Sequence, residues 1–480
     1  MSGNIIFILN NELISADLNP ATVLLDFIRN KKLTGTKEGC KEGDCGACTV
    51  LTGEINSDRD EVIYSAVNSC LIPVQNVNGK HVVTIEGLNL PGKELNPIQQ
   101  EFVNEGASQC GFCTPGFIVS LTGYFLNKGI LNSGNVIDSL DGNICRCTGH
   151  NSIIRAAKKI SDKFDFAVHS NHSNGTRYKF LSENKIIPEY FLNIKDRLSK
   201  LNTFDIKVSS DSGKKSFVSG GTDLFVQRPD EMLNSEIIFL CNDSTLKGIF
   251  LNKDVCTIGS LSTVTEILES GIMNDLYPGI INFAGLFGST PIRNSATLGG
   301  NINNASPIGD MTALFLALDS NVILSDSENK RTIPLKNYYR SYKTTERKPD
   351  EYMECLNIKL PEGNYYINFE KVSKRTYLDI ASVNTAILIF MEKDVIKEIH
   401  LSAGGVAPVP LYLAETCEFL KDKKISRENI NKALEITQSE ISPISDARGS
   451  SDYKRMLLNG LIKTHFIKLF PEYFSEGVEL

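Results

Sequence analysis

Residues 39–50 read GCKEGDCGACTV, a stretch too rich in glycine and cysteine to form regular helix or strand. Its cysteines Cys40, Cys45 and Cys48 stand in a C-x4-C-x2-C spacing, and a fourth, Cys70, follows at a distance. On the N-terminal side, apolar residues alternate over 4–17 about Asn10-Asn11, which predicts a hairpin. Thr22 is placed to cap a helix whose apolar face is Val23, Leu24, Phe27 and Ile28. Strand-like TVLTGEI (49–55) and HVVTIEG (81–87) flank Cys70. Residues 1–88 therefore read as one small α+β unit wrapped around a four-thiol loop.

The period then changes. Asn96-Pro97 opens a helix with proline at the first helical position, where its missing N–H costs nothing. Thr114-Pro115 opens a second helix through Gly129, and a short one is expected near Val136–Leu140. A fourth begins after Gly149, with Ile153, Ile154, Ala157 and Ile160 at helical spacing. This predicts a four-helix domain over 89–163. It carries a second set of four: Cys110 and Cys113 (C-x2-C), then Cys145 and Cys147 (C-x-C).

Four thiolates are what a [2Fe–2S] cluster needs, and the first spacing is that of plant-type ferredoxins, so 1–88 is expected to be a β-grasp, ferredoxin-like domain. Gly39, Gly43 and Gly46 surround the ligands and let backbone N–H groups approach sulfur. Zinc is the alternative, but zinc knots repeat two-to-four-residue gaps symmetrically, and this spacing is asymmetric. In the second set both cysteine pairs precede helices, whose N-termini favour an anionic cluster; a zinc site could use the same placement. Two clusters imply two one-electron carriers. Cys241, Cys256, Cys355 and Cys417 are isolated and read as buried packing.

The 480-residue length suggests three or four domains, and 41% hydrophobic with 22% charged residues suits ordinary globular folds. A net charge of −7 without a basic block argues against a nucleic-acid partner. No apolar run reaches about 18 residues, so no transmembrane helix is expected. The first residues lack the features of a secretory signal, which makes the cytoplasm the expected compartment. Residues 164–179, including the polar run HSNHSNGTRYK (169–179) with His169 and His172, read as a linker. An α/β portion over 180–364 carries glycine-rich VSGGTDL (218–224) and TLGGNINNASPIGD (297–310), and 365–480 is strand-rich and then helical. The pairs Gly220-Gly221 and Gly299-Gly300 suit either backbone approach to a pyrophosphate or plain tight turns.

GCKEGDCGACTV, QCGFCTPG (109–116) and NICRCTG (143–149) resemble the two iron–sulfur domains of the molybdenum hydroxylases. FVSGGTDL (217–224) and ATLGGNINNASPIGD (296–310) resemble that family's FAD-binding domain, and SAGGVAPVP (402–410) its C-terminal flavoprotein subdomain. The resemblance implies a multidomain α+β chain with Cys40, Cys45, Cys48, Cys70, Cys110, Cys113, Cys145 and Cys147 as iron ligands. It implies FAD held by Phe217, Val218, Ser219, Gly220, Gly221, Thr222, Asp223 and Leu224, and by Thr297, Leu298, Gly299, Gly300 and Asn301. Asp310 becomes a polar anchor, Phe287 a ring stacked on the flavin and Lys371 a basic group near it.

Iron–sulfur domains fused ahead of an FAD domain is the arrangement of the family's xanthine dehydrogenases. The large molybdopterin domain has no room here, so the resemblance implies the small subunit of a split, bacterial-type enzyme, within a dimer of heterodimers. No catalytic acid or base is then expected in this chain; Gln109 and Cys147 are expected to face the molybdopterin-binding partner. NAD is the expected acceptor. In KRTYLDIA (374–381), Lys374, Arg375 and Asp379 fall where the family places a charged strand beside the flavin, but Leu378 replaces the first of two acids, which leaves ferredoxin or another carrier open. His150 replaces the aromatic usual after CRCTG and reads as tolerated surface variation. Alternatives are the same subunit of a relative acting on an aldehyde or another N-heterocycle, a stand-alone NADH-oxidising flavoprotein, or a zinc-bound scaffold.

Overall fold

The computed structural model describes residues 3–56, 60–127, 136–165, 174–201, 216–326, 328–375 and 378–474. It divides into two compact units: Met1–Asn242 with Ser289–Ala296, and Asp243–Gly288 with Thr297–Leu480. Among the described residues no helix is long and apolar enough to cross a membrane.

The first unit begins with the expected hairpin. Strands β1 (Gly3–Leu9) and β2 (Glu12–Leu18) pair antiparallel, and Asn10 makes the turn at φ +55°, a left-handed conformation that asparagine tolerates. With β3 (Thr49–Asn56), β4 (Glu61–Asn68) and β5 (His81–Val83) they form a sheet of order β2-β1-β5-β3-β4, in which β1 and β5 run parallel. Helix α1 (Leu24–Asn30) buries Leu24, Leu25, Phe27 and Ile28. Its N-cap is Val23 rather than Thr22, and no side chain caps it. Val23 is held extended by bridging Pro73, while Leu24 N–H donates to Ile72 O at 2.8 Å, so the neighbouring strand-like segment replaces the expected side-chain cap.

Helix α2 (Pro97–Asn104) starts at Asn96, which exchanges two 2.9 Å hydrogen bonds with Gln99 in a capping box. Helix α3 (Thr114–Asn127) is buried over most of its length, and α4 (Asn151–Asp165), packed against α2, buries Ile153, Ala156, Ala157 and Ile160 in the same core. The short helix expected near 136–140 is a 3₁₀ turn, Asp138–Leu140. Ile8, Leu51 and Tyr64 of the sheet share one core with Phe117, Phe125 and Ile160. The expected linker is corrected in part. His169 and His172 lie outside the described residues, but helix α5 (Asn174–Glu183) takes in 174–179. Tyr178 is buried and donates to Val62 O at 2.9 Å, and Leu181, Phe191 and Leu198 join the same core, up to helix α6 (Ile194–Leu198). The apolar residues beyond 177, not the polar ones before, decide this segment.

Parallel strands β6 (Ser216–Val218) and β7 (Ile237–Phe239), with short helices α7 (Leu224–Gln227) and α8 (Pro229–Asn234) between them, complete this unit.

The second unit contains an antiparallel sheet of order β11-β10-β14-β9-β8, made of β8 (Ile249–Asn252), β9 (Val255–Gly259), β10 (Asn321–Ser325), β11 (Lys330–Pro334) and β14 (Tyr352–Lys359). A small ribbon, β12 (Tyr339–Ser341) and β13 (Thr344–Thr345), lies between β11 and β14 in the chain. The C-terminal meander β15 (Asn364–Val372), β16 (Val383–Glu392), β17 (Val395–Gly404) and β18 (Leu411–Tyr412) is also antiparallel. Its apolar residues pack with helices Ala414–Leu420, Arg427–Glu440 and Ser451–Leu469. The chain is thus multidomain α+β, with strands and helices grouped in blocks.

Candidate functional site

The loop before β3 is irregular, as its glycines require. Gly43 and Gly46 take φ of +79° and +67°. Gly39 makes room for a ligand: a Cβ there would stand 2.7 Å from Cys45 Sγ. Cys48 and Cys70 are buried with their sulfurs 3.3 Å apart. Cys40 and Cys45 are partly exposed and joined by a hydrogen bond that brings the Cys40 pKa down to about 5 and raises Cys45. Cys70 likewise hydrogen-bonds Cys48, lowering it while its own pKa rises.

The second set is brought together by the turn before α3 and the loop before α4. Cys110 and Cys147 are exposed, sulfur to sulfur 3.5 Å. Cys113 pairs with the buried Cys145, and burial pushes Cys113 up to about 12. Cys145 falls although burial opposes it, because Thr148 donates to its sulfur from both hydroxyl (3.2 Å) and N–H (3.4 Å). The Phe112 backbone lowers Cys110, with Cys147 adding to the effect as its own pKa rises.

All eight predicted ligands therefore meet, and they meet two and two. Two thiolates on one tetrahedral ion at about 2.3 Å stand roughly 3.7 Å apart, close to the two sulfur separations seen. Among the described residues no three Cys, His, Asp or Glu side chains converge as a group for a single metal ion. Each pair supplies two thiols, the number that each iron of a [2Fe–2S] cluster takes from protein.

One stretch of backbone joins the two loops. Ile144 N–H donates to Cys45 O at 3.1 Å, and Asn143 donates to Gly46 O at 3.1 Å while accepting from Ser120 Oγ at 2.7 Å. Asp141 accepts Thr290 N–H at 2.8 Å and Arg293 Nη2 at 2.9 Å, and both charged side chains are nearly buried. Burial raises the Asp141 pKa, with the Arg293 charge opposing. Neither partner of this pair was singled out from sequence, because nothing local distinguishes Asp141 or Arg293 from surface charges.

The glycine loop 217–224 follows β6 in the same unit. Gly221 takes φ +84°, and a Cβ on Gly220 would stand 2.0 Å from Ser295 O, so both positions need glycine. Asn76 Nδ2 donates to Ser219 O (3.0 Å) and Gly220 O (3.2 Å), leaving its buried Oδ1 unpartnered. Among the described residues no acceptor takes the N–H groups of Gly220, Gly221 and Thr222. That open run of amides suits the oxygens of a pyrophosphate. Val218 and Phe225 share a small core with Cys48, Cys70 and Leu71, so the glycine loop is packed against the buried edge of the first thiol set.

The second glycine pair is bonded differently from the first. Gly299 N–H donates to Ser260 O at 2.8 Å and Gly300 N–H to Thr297 Oγ1 at 3.1 Å, while Leu298 and Asn301 N–H groups go to Ser262 O and Thr297 O. These amides are spent inside the helix start Leu298–Asn304, and Gly299 is needed for its approach to Ser260. Asp310 is half-buried and takes Lys371 Nζ (2.7 Å) and Asn384 Nδ2 (2.6 Å); desolvation raises its pKa against the pull of Lys371. Lys371 also donates to Leu286 O at 2.6 Å, so its charge is already matched. Phe287 is 3% exposed and packs on Phe369, centroids 4.8 Å apart.

Among the described residues of KRTYLDIA (374, 375 and 378–381) none lies in a strand. β15 ends at Val372, and Lys374, Arg375 and Asp379 sit in a loop where Arg375 pairs with Asp379 at 3.6 Å and Leu378 takes φ +59°; Thr376 and Tyr377 lie outside the described residues. Gln109 and Cys147 are exposed. Of the four isolated cysteines Cys256 and Cys417 are buried, whereas Cys241 and Cys355 are only half-buried.

Four family models match the chain: a 2Fe-2S iron-sulfur cluster binding domain over residues 7–75, a [2Fe-2S] binding domain over 84–158, the FAD binding domain in molybdopterin dehydrogenase over 202–362, and the CO dehydrogenase flavoprotein C-terminal domain over 369–469. Xanthine dehydrogenase of Emericella nidulans is 27% identical over 88% of this chain and 35% of its own length. Xanthine dehydrogenase of Dictyostelium discoideum is 28% identical over 98% of this chain and 41% of its length, and aldehyde oxidase 1 of Macaca fascicularis 24% over 98% and 39%. The chain thus spans well under half the length of these relatives. Reconstituted CO dehydrogenase from Oligotropha carboxidovorans shares the fold over 52% of this chain and 88% of its own, with a TM-score of 0.50 at 23% identity.

Proposed function

We propose that this chain, which belongs to the molybdenum hydroxylase family, is the electron-transfer subunit of a xanthine dehydrogenase, taking electrons from a molybdopterin-bearing partner subunit and delivering them to NAD. The observation that carries the reading is the shared packing of Cys48 and Cys70 with the glycine loop of the FAD domain. A one-electron centre held by that thiol set would lie against a flavin-binding loop.

The residues divide the work. Cys40 with Cys45 and Cys48 with Cys70 hold one [2Fe–2S] cluster; Cys110 with Cys147 and Cys113 with Cys145 hold the other. When bound, the clusters supply one-electron transfer and FAD supplies the exchange between one- and two-electron chemistry. The amides of Gly220, Gly221 and Thr222 hold the FAD pyrophosphate, within the loop Phe217–Leu224. Thr297–Asn301 contribute backbone shape rather than open donors. Asp310 and Lys371 neutralise each other and would offer a flavin a dipole in place of a free charge, and Phe287, packed on Phe369, would offer it an apolar ring. The exposed Cys110–Cys147 edge, beside Gln109, is the surface offered to the partner. Proton abstraction from substrate belongs to that partner, and the assembly is a dimer of heterodimers in the cytoplasm.

Co-expression with the molybdopterin-bearing subunit tests this. The complex is expected to contain about four irons per chain, one FAD, and a xanthine-driven NAD reduction lost when either is stripped. An iron- and flavin-loaded complex that oxidises another heterocycle or an aldehyde instead would retain the electron-transfer role and overturn the substrate. Zinc in place of iron would overturn the whole reading.

A further inference from the structure

The position that sequence reads as surface variation, His150, is tied to the second thiol set. Its backbone sits at φ +67°, and its carbonyl accepts the first bond of α4 from Ile154 N–H at 2.9 Å. The side chain turns back: Nε2 accepts the Cys145 backbone N–H at 3.1 Å. A backbone N–H can only donate, so Nε2 carries no hydrogen and the neutral ring holds its proton on Nδ1. The imidazole also lies edge-on to the fully buried Phe117, centroids 5.8 Å apart at 73°. His150 N–H in turn faces Thr148 Oγ1 at 3.4 Å, and that hydroxyl donates to Cys145 Sγ at 3.2 Å.

Cys145 therefore has two different neighbours. Thr148 gives hydrogen bonds to its sulfur, and His150 removes its own amide N–H from the surroundings of that sulfur. N–H groups left open near an iron–sulfur centre stabilise the reduced, more negative state, and hydrogen bonds of this kind set cluster potentials. A phenylalanine at 150 has no acceptor for the Cys145 amide. We infer that His150 is a positioning residue that fixes the Cys145 amide and so sets the potential of the cluster held by the second cysteine set. This inference rests on the assignment of Cys145 as an iron ligand.

The test uses the iron-loaded full chain in complex with its partner, with the two cluster signals resolved by electron paramagnetic resonance during a redox titration. His150→Phe is expected to raise the midpoint potential of the second cluster and leave the first unmoved. His150→Gln, whose Oε1 can occupy the place of Nε2, is expected to restore the original value. Equal potentials in all three proteins, or a shift shared by both clusters, would overturn the inference. Should His150→Phe fail to load iron, His150→Gln against wild type decides: a Gln variant that also lacks the second signal overturns it. Absence of a second iron–sulfur signal in wild type would instead overturn the ligand assignment, a distinguishable failure.

Discussion

The two cysteine sets have the same donors and opposite surroundings. The first keeps Cys48 and Cys70 inside a hydrophobic core that it shares with the glycine loop; the second leaves Cys110 and Cys147 in solvent. A thiol set enclosed by its own chain is positioned to exchange electrons within the chain. One with an exposed edge is positioned to exchange them with something else. The difference comes from supporting elements rather than ligands: Ala21, Val23 and Leu25 with Val218, Phe225, Met232 and Ile237 enclose the first set, whereas the second is held at the ends of two helices.

Breaking the contrast hardest is the loss of Asp141, which ties the second set's approach loop to Thr290 and Arg293, next to Ile292, whose Cδ1 lies against Gly43 of the first. Asp141→Ala removes the buried carboxylate that faces the Arg293 guanidinium and is expected to cost about 3–5 kcal/mol, read as a lowered urea midpoint.

Acid acts next, and on the sheet that carries the first set. His81 is buried between Tyr64 Oη (2.6 Å) and Asn10 O (2.9 Å), and desolvation lowers its pKa to about 3. Above pH ~6.5 it is neutral both folded and unfolded; as pH falls below that value only the unfolded chain takes up the proton. Stability is therefore full at neutral pH and falls by about 1.4 kcal/mol per pH unit toward pH ~3. His465, also buried and lowered to about 3, adds the same slope in the other unit. Melting temperatures at pH 7 and pH 5 should separate by less in His81→Gln; an unchanged separation would remove His81 as the source.

The sharpest form of the comparison is a pair of serine variants. Cys70→Ser places a hydroxyl in an apolar core and is expected to cost about 1–3 kcal/mol as well as the first cluster's signal. Cys147→Ser changes an exposed atom, so the second signal should vanish while stability shifts by less than about 0.5 kcal/mol. Equal destabilisation by the two would mean that the burial difference has no energetic weight.

Much of this was readable beforehand. The C-x4-C-x2-C run, the proline at the start of α2, the Asn10 turn and the apolar spacing of α4 are local signals, and each stands in the structure where it was expected. Where expectation failed, a distant residue had taken the bond that local reasoning assigned elsewhere. Ile72 supplies the start of α1 in place of Thr22, and Ser260 takes the Gly299 amide; His150, five positions on, turns back to the Cys145 amide. The polar run before Arg177 pointed to a linker, but Tyr178 and the apolar residues after it found a core already built by α3 and α4.

Sequence alone therefore determined the chemistry: thiol number, spacing and the glycines that let backbone reach them are properties of consecutive residues. Only the tertiary structure decided how the thiols pair, which pair is buried, which glycine amides remain open and that Asp141 meets Arg293. Those depend on groups up to 152 positions apart, and no local pattern records a hydrogen bond or a burial that the rest of the chain supplies.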